Sequence, residues 1–289
     1  MIRWSLNLLV AALLSVTFTQ AQLATSLRVI KNQHLAGESV IAIVTITNHA
    51  GSELVFASDG RSQWLDFVVK DSRGEPVTPR GRSLFGSMKI APGQTLAREV
   101  DLSQWFQLSE PGNYSVLAVI HAPRQGAESS TTNRVFFNQS SGRLYWSQRV
   151  GLRGGSKNTR DLRILNFTGD TKSQIYAQIA DGTTGQLVRT FLLGDVLMLR
   201  KPLATVDREQ RMHVMFLATP AMWVHCVINT DGKLVARQIH QRTSQGDPQL
   251  LTFPDGSVRV ANSILYDPNA AAVERGKTRK ASDRPTGAF

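Results

Sequence analysis

The chain has 289 residues, 42% of them hydrophobic, one cysteine and a formal charge of +11. An ordinary apolar fraction calls for burial in a conventional core, and a lone cysteine, Cys226, excludes any internal disulfide framework. The positive charge favours anionic partners such as lipopolysaccharide, acidic polysaccharide or released nucleic acid, against the plainer reading that basic residues are dispersed for solubility.

The N-terminus reads as a secretory signal peptide. Arg3 gives a positive start, Leu6 to Val16 an apolar stretch broken by Asn7 and Ser15, and Thr19-Gln20-Ala21 the small residues of a cleavage site. The stretch falls short of the roughly 20 apolar residues of a spanning helix, and no second such segment follows, so no membrane span is expected. An uncleaved N-terminal anchor is the competing reading. With no disulfide to form, the expected location is the bacterial periplasm or the medium, after cleavage near Ala21.

From Leu27 to Phe137 the pattern is short period-two runs separated by turn residues, the pattern of an antiparallel sandwich. Val40, Ala42, Val44 and Ile46 point one way and Ile41, Ile43, Thr45 and Thr47 the other, before a turn at Asn48-His49-Ala50-Gly51-Ser52. Trp64 to Lys70 is the next strand, followed by an Asp71-Ser72-Arg73-Gly74-Glu75 turn. Ala91-Pro92-Gly93-Gln94 turns the chain into Thr95 to Leu102, and Glu110-Pro111-Gly112-Asn113 leads into Tyr114 to Ile120, with Asn133 to Phe137 last. The order of these pieces, including the Pro-Gly-x-Tyr-x-Val of Pro111 to Val116, resembles bacterial immunoglobulin-like accessory modules. That resemblance implies a sandwich over 22–140, with the Tyr114 ring at the edge of the core, and a role in binding, spacing or orienting.

Residues 141–160 are polar, glycine-containing and basic, and are expected to be a flexible linker. Arg143, Arg149, Arg153, Lys157, Arg160 and, just beyond, Arg163 accumulate with only Asp161 to oppose them, forming a candidate anion-binding strip. Tyr145 and Trp146 are candidates for stacking on a sugar or base, or for tucking into the following unit.

Over 161–266 a repeat of about 50 residues emerges. Arg163 to Phe167, Ile175 to Ile179, Asp181-Gly182, Leu187-Val188 and Pro202-Leu203 are followed by His213 to Leu217, Trp223 to Ile228, Asp231-Gly232, Leu234-Val235 and Pro248-Gln249-Leu250. Asp255 to Val260 restarts it, matching Glu209 to Val214. Four short strands with an Asp-Gly hairpin and a proline-bearing strand resemble β-propeller blades of the sialidase-like kind. The Ser-x-Asp-x-Gly-x-Thr-Trp box of sialidases is missing and about two units fall short of a closed ring, so sialidase chemistry is not implied. The expected fold class is therefore all-β, an N-terminal immunoglobulin-like sandwich plus a C-terminal lobe of about two four-stranded blade-like antiparallel units. Residues 267–289, rich in Ala and basic groups, are expected to be a disordered tail.

Nucleophile elbows, phosphate-cradling loops and Ser-x-x-Lys motifs are absent from the sequence. His34, His49, His121, His213, His225 and His240 show no zinc-site spacing. A hairpin around Thr219-Pro220-Ala221 would make His213 and His225 diagonal neighbours on one face, with no acid nearby on those strands. Asp59, Asp66, Asp181, Asp195, Asp207 and Asp231 read as turn or surface residues, and Cys226, inside an apolar run, as a buried inert thiol. Expected are no catalytic residues, no cofactor and no metal. The function read from this is an exported, non-enzymatic binding or assembly module recognising an anionic envelope polymer or an acidic protein partner. Its rivals are a degenerate carbohydrate-active enzyme with a cleft near Trp223, His213 and His225, and a purely structural subunit of an envelope complex.

Overall fold

The computed structural model describes residues 23–58, 63–81, 85–121, 129–152, 158–169 and 172–270. The signal-peptide reading over 1–21 and the tail from 271 onward lie outside them. In chain order the strands are β1 (Leu23–Val29), β2 (Gln33–Leu35), β3 (Ile41–Asn48), β4 (Leu54–Phe56), β5 (Leu65–Lys70), β6 (Met88–Ile90), β7 (Thr95–Asp101), β8 (Gly112–Ile120), β9 (Ser130–Thr131) and β10 (Val135–Ser140). They continue as β11 (Arg143–Gly151), β12 (Thr159–Thr168), β13 (Ser173–Asp181), β14 (Leu187–Asp195), β15 (Leu203–Val206), β16 (Met212–Thr219), β17 (Met222–Ile228), β18 (Leu234–Arg242), β19 (Gln249–Thr252), β20 (Val258–Ala261) and β21 (Ser263–Leu265). One helical turn, α1 (Leu102–Trp105), interrupts them, so the fold is all-β as expected. No helix among the described residues is long and apolar enough to cross a membrane.

Two units divide the chain. Among the described residues, the N-terminal unit holds 23–32, 40–108 and 112–138, and the C-terminal unit holds 33–39, 109–111 and 139–270.

In the N-terminal unit β1, β3 and β7 form one antiparallel sheet, and β5, β8 and β10 belong to another. Alternation decides the core: Val40, Ala42, Val44 and Ile46 turn inward to meet Leu65, Val69, Val116, Ala118 and Ile120. The expected turn at Asn48 is built by its own side chain. Asn48 is fully buried, its amide nitrogen donates to the carbonyls of Ser52 and Ile90, and its oxygen accepts from Ala50 N–H, so a buried polar group is satisfied at every contact. Tyr114 stacks on Phe137 with ring centroids 5.5 Å apart, buried where the sequence reading places it. The helical turn α1 is absent from the sequence reading; it starts because Asp101 caps it, accepting from Ser103 N–H.

In the C-terminal unit two meanders, β11-β12-β13-β14 and β15-β16-β17-β18-β21, enclose a core that includes Leu162, Ile164, Ile175, Ile179, Val214, Phe216, Val224 and Cys226. Burial pushes the Cys226 thiol up to about 11. Three sequence expectations change here. The segment expected as a linker is largely strand: β11 pairs along its length with β12. A register shift between Leu144 and Trp146 breaks the period-two pattern, and basic residues fill the exposed positions, which hides the strand in sequence. The proline-bearing strand closes no unit; β15 opens the second sheet by pairing with β16. At the second hairpin the turn is made by Asn229, whose carboxamide oxygen accepts from Asp231 and Lys233 N–H, and not by Asp231. The restart of the repeat has a structural counterpart: Gln210 and Gly256, aligned by that restart, both take left-handed backbone, with φ of 62° and 75°.

Candidate functional site

Strand pleating sorts β12 into two faces. Leu162 and Ile164 enter the core, while Asp161, Arg163 and Leu165 face the other way. Register carries the outer face across the sheet: Arg149 pairs with Asp161, and Arg163 with Ser147 on one side and Gln178 on the other. Part of that face is covered by the segment after β2. Leu35 packs on Leu165, Phe167 and Tyr176, and Gly37 approaches so closely that a Cβ there would lie 2.7 Å from Leu187 and 3.0 Å from Thr190. Its φ of +80° also demands glycine. Beneath this segment the Tyr176 hydroxyl, whose pKa is raised first by burial and then by Glu38, lies 3.4 Å from the Glu38 carboxylate.

What the segment leaves uncovered is a groove of about 760 Å³. Its walls are Ala36, Pro111, Gly142, Leu144, Leu165 and Leu187 on the apolar side, and Ser147, Gln148, Arg149, Asp161, Arg163 and Gln178 on the polar side. Arg149 donates to Asp161 at 2.7 and 3.1 Å, Arg163 donates to the same carboxylate at 3.1 Å, and Gln178 donates to Thr190 at 3.2 Å. The paired Arg149 donors, and then Arg163, hold the Asp161 carboxyl below the usual range against the opposing effect of burial. Two guanidinium groups therefore share one carboxylate, and the cluster keeps a net positive charge at a concave surface.

The structure thus divides the predicted strip. Arg149 and Arg163 converge on the groove. Arg160 does not: it shares the pleat parity of Leu162 and is taken up by Asp181 at 2.8 Å. Arg143 pairs in register with Asn166, on that same parity, and does not line the groove. Arg153 and Lys157 lie outside the described residues. Tyr145 and Trp146, candidates for stacking or for tucking into the following unit, pack partly buried against the core of that unit and do not line this groove. Gln178 and the Leu144–Leu165 floor were missed; once Arg163 is on a strand, the period of two points to Leu165, but Gln178 needs the register of β13.

A second polar cluster lies in the other sheet. Met212 pairs with Ile228 in β16 and β17, so His213 and His225 become diagonal neighbours as the hairpin arithmetic requires. His213 Nδ1 lies 3.1 Å from His225 Nε2. An acid is present after all: Asp207, in the turn before β16, is 3.1 Å from His213 Nε2 and 2.7 Å from Arg211 Nε. Sequence reasoning confined to the two strands could not see a carboxylate delivered by the preceding turn. No group of three His, Cys, Asp or Glu residues arranged to hold a metal occurs among the described residues.

No protein-family model matches the chain, and no curated protein sequence matches it. Among solved structures, the sporulation control protein Spo0M from Bacillus subtilis is similar over 60% of this chain and 91% of its own, at 11% identity and a TM-score of 0.29.

Proposed function

We propose that the chain is an exported, non-enzymatic binding module, an immunoglobulin-like sandwich joined to a blade-like β unit, that holds carboxylate groups of an acidic envelope polysaccharide in the groove of Arg149 and Arg163. The observation that carries this reading is the sharing of Asp161 by both arginines at the groove wall. The carboxylate orients the two forks without neutralising them, and a planar guanidinium matches a second carboxylate in the same bidentate manner. Asp161, held ionised by two cations, is poorly suited to donate a proton, which favours binding over hydrolysis in this groove. Gln178, Gln148 and Ser147 add neutral hydrogen-bonding groups for sugar hydroxyls.

The test is equilibrium binding of the full chain to polygalacturonate, with lipopolysaccharide as a second probe, across about 0.05 to 0.2 M salt. Binding to polygalacturonate is expected to weaken about tenfold or more over that range, and Arg149→Ala with Arg163→Ala to weaken it similarly at low salt. Salt-independent affinity, or a double variant that binds as the parent does, overturns the reading. Preference for lipopolysaccharide replaces the polysaccharide with a phosphate-bearing surface, and turnover of a glycoside panel overturns the non-enzymatic part.

A further inference from the structure

The outer face of the β16–β17–β18 sheet carries a row of three histidines that the groove does not use. His213, His225 and His240 are each more than nine-tenths buried. The first two rings are stacked with centroids 5.3 Å apart, and His240 follows at 6.0 Å from His225. Asp207 and Arg211 close one end of the row; at the other, His240 Nδ1 meets the Ser263 hydroxyl of β21 at 3.1 Å. His240 Nε2 is buried without a hydrogen-bond partner. Gln238 adjoins His225 from β18. From the hairpin β19–β20 the groups that meet this face are apolar, Leu250 and Val260, packed with Met215, Leu217 and Trp223.

The hairpin β19–β20 thus packs on the face that carries the row, and β21, the edge strand beside β18, meets the end of the row where Ser263 reaches His240. The backbone and hydroxyl ties are Arg208 N–H to the Gly256 carbonyl at 2.8 Å, Thr205 to Thr252 at 3.3 Å, Tyr266 N–H to the Ile239 carbonyl at 2.8 Å and the β18–β21 pairing. The charged ones are Arg200 to Asp247 at 2.8 Å and the charge of Arg208 on Asp255, whose carboxyl is held below the usual range by hydrogen bonds from Ser257 and then by Arg208 and Arg259.

We propose that the histidine row is an acid-operated latch, in which protons entering the row release the β19–β20 hairpin from the sheet face and β21 from the sheet edge, and uncover the face of Met215, Leu217 and Trp223.

Hydrogen bonding supplies the mechanism. With Asp207 accepting from His213 Nε2–H, His213 Nδ1 is left to accept from His225 Nε2–H. The contact has room for one hydrogen. One added proton is accommodated, because His213 then donates through both nitrogens, to Asp207 and to His225. With both rings charged, two N–H groups face each other across 3.1 Å, and His240 stands beside them in the same buried row. The sign follows from linkage. Burial first, then the charges of His213 and His240, push the His225 pKa down from 6.5 to about 4, and burial lowers that of His240. His225 is therefore uncharged in the closed form at pH 6 and His240 takes a proton less readily there than an exposed histidine does, whereas the released segment leaves both free to protonate. Below pH about 6.5, each such histidine raises the opening constant by up to about tenfold per pH unit, until the closed form itself takes up the proton.

The experiment is hydrogen exchange of the full chain between pH 7 and 4.5, corrected for the intrinsic exchange rate. Peptides spanning 249–266 are expected to open by up to about 100-fold per pH unit, since two histidines contribute, while peptides of β12 and β13 stay protected. His225→Phe is expected to reduce that slope to at most about tenfold per unit, and His240→Asn to reduce it as well. If the phenylalanine variant is unfolded at pH 7 by circular dichroism, His225→Gln carries the test. An unchanged slope in a folded His225 variant overturns the latch, as does a flat pH response of 249–266 or exchange that rises equally in every peptide.

Discussion

Arg149 and Asp161 are direct register partners on β11 and β12, and their side chains meet twice, at 2.7 and 3.1 Å. Arg163, two residues along β12 and on the same face, donates to the same carboxylate. The groove wall is therefore one anion between two cations, and its charge balance is set by a single residue.

Replacing that residue separates affinity from stability. Asp161→Asn is expected to raise affinity for polygalacturonate at low salt and to steepen its salt dependence, because both guanidinium groups lose their internal competitor. The Arg149 side chain is 61% exposed, so the stability lost should be small, about 1 kcal/mol or less, read from urea denaturation. Equal or weaker binding by a folded Asp161→Asn variant would show that the arginines do not contact the polymer.

Trp146→Ala is expected to act in the opposite way. The ring packs partly buried against the core of the C-terminal unit, so its truncation should cost about 2–4 kcal/mol while leaving polygalacturonate affinity within about twofold. A large affinity loss at unchanged stability would restore it as a stacking platform.

Asp207→Asn should be far more damaging than Asp161→Asn. Burial alone would raise the Asp207 pKa, yet the Arg211 backbone N–H, His213 and the Arg211 guanidinium hold it below the usual value. Its carboxylate also accepts from Glu209 N–H in the turn. A carboxyl whose folded pKa is depressed stabilises above its unfolded pKa, near 3.8, and loses that contribution as pH falls through the folded value. The variant is expected to lose about 2–4 kcal/mol at pH 7 by urea denaturation, with a smaller difference from the parent in strong acid. A variant as stable as the parent at pH 7 would contradict this.

Gly37→Ala tests the segment that narrows the groove. Left-handed backbone and a Cβ pressed onto Leu187 and Thr190 both oppose the methyl group. A loss of about 1–3 kcal/mol is expected, with raised protease sensitivity between residues 33 and 39. Unchanged thermal stability would mean that this segment relaxes freely.

Much of the site was half legible. Seeing Arg149, Asp161 and Arg163 close together in sequence identified the charged cluster, but the intervening residues read as a linker because the bulge at Leu144–Trp146 offsets the apolar alternation. Without a strand there is no face, so Arg160 and Arg163 look equivalent although pleating sends them to opposite sides. The histidine pair was found because a hairpin with a short turn fixes its own register by arithmetic. Asp207 and Ser263 were not, because one arrives through a turn before the hairpin and the other from β21, and register within one hairpin is silent about both.

Local alternation and turn chemistry, written in residues such as Asn48, Asp71 and Asp181, determined that the chain is all-β and where many of its strands run. Those signals depend on neighbours a few residues apart, which the sequence presents directly. Which strands share a sheet, which of the four described basic residues point into a concave surface, and which buried histidines stand in a row were decided only by the tertiary structure. Each of these rests on pairing between segments whose separation in sequence carries no information about their distance in space.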